Sequence, residues 1–221
     1  MKTKIVILLL VVSVVVLFFP NMPGSDSLKT VFRLTDEPAE VIVRGMSGSA
    51  LTINISFGDE EVEQLVSELK APYPLLLLDM DWVERFPDIV ELIEEKNIPI
   101  GLLGHAGDSY EQNTALLAEQ LQLYEKHFGT KPLWFRTSDE VFPLSLRTAL
   151  WDSEVNPIGS TVKWYEGEPP PVLEGEIISI PHYREKRISM AAFKKLNETR
   201  EYKSLEGVLF NMSIKTKRIP E

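Results

Sequence analysis

The chain alternates between short runs that are apolar throughout and longer stretches that are apolar only every third or fourth residue. Leu51 to Phe57 reads LTINISF and is β-rich, and Val62, Leu65, Val66 and Leu69 then recur at helical spacing. Pro74 to Met80 (PLLLLDM) is a continuous apolar run suited to a strand buried on both faces. A second helix is predicted after Pro87, with Ile89, Leu92 and Ile93 on one side. Ile98 to Leu103 predicts another strand. Leu117, Leu121, Tyr124 and Phe128 form a third helical face, closed by Gly129. Further strands are predicted at Pro132 to Phe135, Thr161 to Trp164, Glu176 to Ile180 and Gly207 to Phe210. Helices are predicted at Leu144 to Trp151 and Ala191 to Arg200, and Pro169-Pro170-Pro171 makes a stiff loop. Strands alternating with helices of about ten residues predict an α/β fold on a parallel sheet, open or closed into a barrel.

The beginning of the chain follows a different rule. Lys2 and Lys4 precede the uncharged run Ile5 to Phe19, and Pro20 and Pro23 close it. A basic start before an apolar core is the pattern of an export signal. No small-x-small cleavage pattern follows, so an uncleaved anchor with its lysines inside is expected. A cleaved signal peptide and a buried core helix are the alternatives. The expected layout is an anchor at 1–23, a linker and N-terminal extension at 24–47, the main domain at 48–212 and a basic tail at 213–221. The extension has strand character at Val41-Ile42-Val43, and the tail carries Lys215, Lys217 and Arg218.

Composition narrows the function. Of 221 residues, 44% are hydrophobic and 25% charged, enough apolar content for a packed domain. A net charge of -10 argues against nucleic acid as a partner, because phosphate neutralisation needs clustered Lys and Arg. With no cysteine there is no disulfide, thiolate nucleophile or Cys-based zinc site. The glycine patterns of phosphate loops and dinucleotide folds are missing, as is a Gly-x-Ser-x-Gly elbow.

In parallel α/β sheets the reactive groups gather at the carboxyl ends of the strands. That rule nominates Asn54 and Ser56, Asp79 and Asp81, His105 and Asp108, Arg136 to Glu140, Lys163 and Trp164, and His182.

The order and spacing of several segments resembles the polysaccharide deacetylase family with the NodB-type domain, in its membrane-anchored branch from spore-forming bacteria. The resemblance spans about Ser49 to Phe210. It is carried by Ala50 to Asn54 with Phe57-Gly58-Asp59-Glu60, by Trp82 to Asp88, by Phe128 to Arg136, by Thr161 to Trp164 and by Glu174 to Ile178. It implies a distorted (β/α) barrel that removes N-acetyl groups from chitin-like sugars or peptidoglycan. It also implies a divalent metal held by one Asp and two His, a second Asp as base and a further His as acid. A Lewis acid polarises the amide carbonyl and lowers the pKa of water, and a carboxylate takes the proton.

The family residues are largely replaced. Where a Thr-Phe-Asp-Asp-Gly turn is expected the chain reads Thr52-Ile53-Asn54-Ile55-Ser56, so the base position is Asn54 and the metal carboxylate is Ile55. Leu103 and Gly107 stand where the two histidines belong, with His105 between them; a two-residue slip would pair His105 with Ser109 instead. Arg136 is kept, but Thr137-Ser138-Asp139-Glu140 follows it in place of prolines and glycine. Lys163 replaces the Asp before Trp164. His182 is displaced by one residue, which on a strand turns the side chain to the other face.

The expectation is therefore a membrane-anchored, extracytoplasmic deacetylase-like protein without the usual metal and base residues. It would be non-catalytic, associated with cell-wall glycan or an envelope protein, or regulatory, and no cofactor is expected. The alternative is an active hydrolase of N-acetyl amide bonds with a rebuilt site, which would need zinc. No residue is firmly catalytic; Asn54, Asp81, Arg136 and His182 are the candidates. Asn54, Asp79, Asp81, His105, Arg136 and Trp164 are expected to bind ligand, and His105 and Asp108 are the secondary candidates for a metal. For His105 a hydrogen-bonded loop histidine is the competing reading, and for the acids around it, helix capping. Arg136 is either the remnant of a catalytic network or a structural ion-pair partner.

Overall fold

The structure is a computed structural model and describes residues 40–210. The expected anchor and basic tail, and most of the linker, lie outside the described residues. Among those described, no helix is long and apolar enough to cross a membrane.

Eight strands form one sheet around β1 (Ser49–Ile55). On one edge, Thr52 to Ile55 of β1 pair in parallel with β2 (Leu75–Leu78), and Ser49 and Ala50 pair with the short β8 (Tyr202–Lys203). Along the other edge β1 pairs over its whole length with β7 (Glu176–His182). The sheet continues from β2 through β3 (Ile100–Gly104) and β4 (Trp134–Thr137) to β5 (Asn156–Pro157), and from β7 to β6 (Val162–Lys163). Every ladder is parallel. The result is a curled half-barrel whose two end strands, β5 and β6, do not pair.

An extended N-terminal segment spans that gap. Ile42 donates to Pro157 O at 3.1 Å and accepts from Gly159 N at 2.8 Å, and Arg44 bridges to Glu176. Thr161 Oγ1 donates to Val43 O at 2.6 Å. The strand character of Val41-Ile42-Val43 thus becomes a stave between the sheet's ends rather than a ladder of its own.

Helices pack on the convex face: α1 (Glu60–Glu68), α2 (Met80–Arg85), α3 (Pro87–Glu95), α4 (Gly107–Gln112), α5 (Leu116–Phe128), α6 (Leu144–Asp152), α7 (Met190–Asn197) and α8 (Leu205–Phe210). Strand alternation sorts the side chains. Ile53, Ile55, Leu76, Leu78, Leu102, Phe135, Ile178 and Ile180 point outward into the helix layer, and all are fully buried in its core. Each contributes about 1.5–3 kcal/mol by leaving water. The opposite set faces the barrel interior: Thr52, Asn54, Leu77, Gly101, Leu103, Arg136 and Ser179, aligned by the registers of β1 with β2 and β7, β2 with β3, and β3 with β4.

One expected element is corrected. Gly207 to Phe210 lies in α8, not in a strand. Ser204 opens that helix by accepting Gly207 N on its hydroxyl at 3.1 Å and Val208 N on its carbonyl at 3.0 Å. Leu205 and Val208, three apart, then bury on one side. The last strand is instead Tyr202–Lys203.

Candidate functional site

Arg136 sits on β4 with its guanidinium fully buried in the barrel interior. Nη1 donates to Thr52 Oγ1 at 2.7 Å, Asn54 Oδ1 at 3.0 Å and Ser179 Oγ at 3.1 Å. Nε donates to Ile158 O at 3.0 Å, and Nη2 to Gly159 O at 2.7 Å. Its nearest carboxylate, Glu140 Oε1, is 3.9 Å from Nε. Burial pulls the guanidinium down to about 10 despite that carboxylate, so it stays charged at neutral pH. The charge is held by neutral oxygens from β1, β7 and the turn after β5. Arg136 is thus the hub of the interior, with each nitrogen of its planar fork bonded within the protein.

Asn54 completes the hub. Its Nδ2 donates to Ser179 Oγ at 3.2 Å and to Tyr183 OH at 3.0 Å. The tyrosine hydroxyl in turn donates to Ser138 O at 3.2 Å, and burial pushes the phenol up to about 12. Both ends of the Asn54 amide are therefore committed. An amide suits this position, because it can accept from a guanidinium and donate to hydroxyls at once.

Above the hub lies a cavity of ≈ 430 Å³ at the carboxyl ends of the strands. Asn54, Ser138, Ser179, Trp164, Tyr165 and Tyr183 line it, with Asp139, Glu140, Lys163 and Lys186 among the charged groups at its wall. Trp164 is nearly buried, and its indole N–H donates to Glu168 O at 3.2 Å. Lys163 Nζ is 3.7 Å from Glu140 Oε2 and donates to Asp139 O at 3.0 Å. Glu140 also accepts from Ser160 Oγ at 2.8 Å. Aromatic faces beside amide, hydroxyl and ammonium groups form a surface that can take a neutral, polyhydroxylated ligand.

The other nominated residues are placed elsewhere. His105 is exposed just beyond β3; its backbone N–H is bound to Tyr110 OH at 2.9 Å, and its carbonyl accepts Ser138 N at 3.1 Å. Asp79 caps α2, accepting Trp82 N at 3.0 Å. Burial raises its carboxyl above the usual value, and the nearby Asp81 adds to this, while His105 opposes it. Asp81 is exposed in the first turn of α2, and Asp108 is exposed in the first turn of α4. Asp139 holds the N-terminus of α4 through Gly107 N at 3.1 Å and turns the loop through Val141 N at 3.0 Å.

His182 pairs in register with Ile55, while its neighbour Pro181 pairs with Asn54. The imidazole therefore lies on the helix side of the sheet, away from Asn54 and Arg136. There it packs under the turn at Gly58, with Nε2 3.6 Å from Glu61 Oε2.

These positions do not fit the zinc site the family resemblance implies. Asn54 offers no carboxylate, Ile55 faces the helix layer, and Leu103 stands buried beside Arg136 in the interior. Among the described residues, no three His, Cys, Asp or Glu side chains are grouped to hold a metal ion. Two groups in the hub, Ser179 and Tyr183, were not nominated from the sequence. A lone serine within the apolar strand EIISIPH was the available signal for the first. Tyr183, beyond the strand end, gave none.

The sequence matches no family model and no curated protein. Solved structures do match. BA3943, a CE4 family pseudoenzyme from Bacillus anthracis, superposes with TM-score 0.61 at 21% identity, covering 76% of this chain and 67% of that one. A BA3943 mutant with restored enzymatic activity gives TM-score 0.61 at 20% identity, covering 74% and 65%. The chitin deacetylase of the fungal pathogen Colletotrichum lindemuthianum gives TM-score 0.62 at 13% identity, covering 79% and 93%. The chain thus has the fold of the CE4 polysaccharide deacetylases, a curled parallel (β/α) half-barrel of NodB type, and that fold is shared by deacetylases and a pseudoenzyme alike.

Proposed function

We propose that the protein is a membrane-anchored, extracytoplasmic pseudoenzyme of the deacetylase fold, which binds cell-wall glycan or an envelope partner in the groove above Arg136. The observation that carries this reading is the Arg136 hub. The interior space beside the strand ends is filled by a guanidinium bonded to Thr52, Asn54 and Ser179, where amide hydrolysis in this fold would need a carboxylate base beside a metal. The groove keeps the aromatic and polar wall of a sugar site. That a structural neighbour is itself described as a pseudoenzyme supports the same reading.

The test uses the purified full chain, with metal content, acetate release from N-acetylglucosamine oligomers and binding of the same oligomers measured side by side. Binding without acetate and without stoichiometric zinc is the expected result. Stoichiometric zinc or steady acetate release overturns it in favour of an active N-acetyl amide hydrolase with a rebuilt site. The feature that favours that second reading is Asp79, whose carboxyl is raised by burial and lies within the field of His105 and Asp81. Its cap bond to Trp82 N weighs against a free catalytic role.

A further inference from the structure

His182 is the one described histidine that is shut away from solvent, with 1% of its side chain exposed. Neither of its ring nitrogens has a hydrogen-bond partner among the described residues. A buried polar group left in this state is unusual and costly. It lines a cavity of ≈ 350 Å³ on the helix side of the sheet, together with Glu61, Gln64, Arg187 and Ser189.

The charged groups that face it come from two elements. From α1, Glu61 Oε2 stands 3.6 Å from Nε2, close enough for an ion pair once the imidazole is protonated. From the loop after β7, Arg187 Nη1 already holds the same carboxylate at 3.0 and 3.2 Å. The remaining neighbours carry no charge: Ile55 on β1, Gly58 in the turn before α1, and Ser189 and Met190 at the start of α7. Burial, with the Arg187 charge, holds the imidazole below its ordinary value, while Glu61 pulls the other way.

The loop that carries Arg187 also builds the groove. Tyr183, next in sequence to His182, crosses to the interior and bonds Asn54 and Ser138. Tyr183 N donates to Lys186 O at 2.9 Å, and Glu185 and Lys186 line the groove wall. Lys186 Nζ lies 5.8 Å from the centre of the Tyr165 ring. A single short loop is thus fastened to Asn54 on one side of the sheet and to Glu61 on the other.

We infer that protonation of His182 is a pH-sensitive latch on the groove. A charged imidazole competes with Arg187 for Glu61, and two cations on one carboxylate repel each other. Release of Arg187 slackens the loop and moves Tyr183 and Lys186 at the groove wall. This regulation rests on the proposed role of the groove, but its test needs no glycan, so the latch and the binding reading fail separately.

The experiment is an NMR pH titration of the full chain from pH 7.5 to 4.5, following the His182 imidazole and the amides of Tyr183, Lys186 and Arg187. In the wild type the three amides are expected to move with the imidazole, at a common midpoint below 6.5. Glu61→Gln, at an exposed side chain, removes the counter-charge and the carboxylate over which the two cations compete, so the imidazole midpoint is expected to fall and the three amides to stop following it. His182→Phe is expected to abolish the movement of the amides. The latch is overturned if His182 titrates while the Tyr183 and Lys186 amides stay still. It is equally overturned if those amides still move with the imidazole in Glu61→Gln, or if His182 stays neutral until the chain unfolds. The Glu61→Gln arm decides the matter if His182→Phe does not fold.

Discussion

Arg136 Nη1 lies 3.0 Å from Asn54 Oδ1, a bond across the barrel between residues 82 apart in sequence. It joins β4 to β1, two strands that are not neighbours in the sheet. The pair ties the two strands together across the barrel interior.

Replacing Arg136 by Met removes the donor to Thr52, Asn54, Ser179 and two carbonyls, leaving several buried acceptors short of partners. A loss of about 3–5 kcal/mol is expected, as for breaking a buried charged network. Arg136→Lys is expected to recover little of it, because an ammonium cannot span the same acceptors. Urea denaturation of the three proteins measures both.

Asn54→Asp places a carboxylate against the guanidinium, which favours its ionised form. Ser179 can donate its hydroxyl to it, and Tyr183 can do so by giving up its bond to Ser138 O. The variant is expected to gain about 1–2 kcal/mol at neutral pH, the range for hydrogen bonds to charged groups. Because the folded carboxyl is depressed, the unfolded chain takes up protons first, so the gain fades as pH falls below about 4. Denaturation midpoints at neutral and acidic pH give the sign. Acetate release is expected to match that of the wild type, since Ile55 and Leu103 are unchanged.

His182 predicts the opposite pH dependence from a histidine whose value is raised by an ion pair. Its folded value lies below 6.5, so the unfolded chain binds the extra proton first on acidification. Its contribution to stability is full above pH 6.5 and declines as pH falls toward the folded value. In His182→Phe the slope of unfolding free energy across that window is expected to flatten.

Gly58→Ala is expected to cost about 1–3 kcal/mol, combining backbone strain with overpacking. The residue has φ +92°, and an added Cβ would stand 2.9 Å from His182 Nε2 and 3.2 Å from Val62. Thermal unfolding measures the cost. Measured against His182→Ala alone, the double variant is expected to recover the clash with the imidazole and to leave the φ part and the Val62 contact.

Arg200 and Glu176 are both buried, and Nε is 3.1 Å from Oε1. Arg200→Met strands the carboxylate and is expected to cost about 3–5 kcal/mol. Adding Glu176→Gln should return part of it, because the stranded charge is gone, the amide oxygen can still accept Leu173 N, and the amide NH2 can donate to Ser49 Oγ. A double-mutant cycle in urea separates the two.

How much of this the sequence disclosed follows from the range of each signal. Runs such as PLLLLDM announce strands buried on both faces because every position must be apolar, and these delivered the central sheet. α8 and β8 escaped because six- and two-residue elements are too short for periodicity to distinguish. Asn54 and Arg136 were nominated by their places on strands, yet their bond depends on barrel curvature that no local pattern encodes. The displacement of His182 by one position did carry readable information, since alternation alone places it with Ile55 rather than Asn54. Its approach to Glu61 depends on how α1 packs, and that was not legible.

The stave at Ile42 has a mechanical consequence. Its carbonyl holds Gly159 N, and the carbonyl of that same glycine holds Arg136 Nη2. One residue, Gly159, therefore links the stave to the buried guanidinium. Tension on the stave would be shared among Pro157, Gly159 and Thr161, and the share at Gly159 would reach Arg136, so freeing Ile42 would loosen one bond of the hub as well as open the barrel.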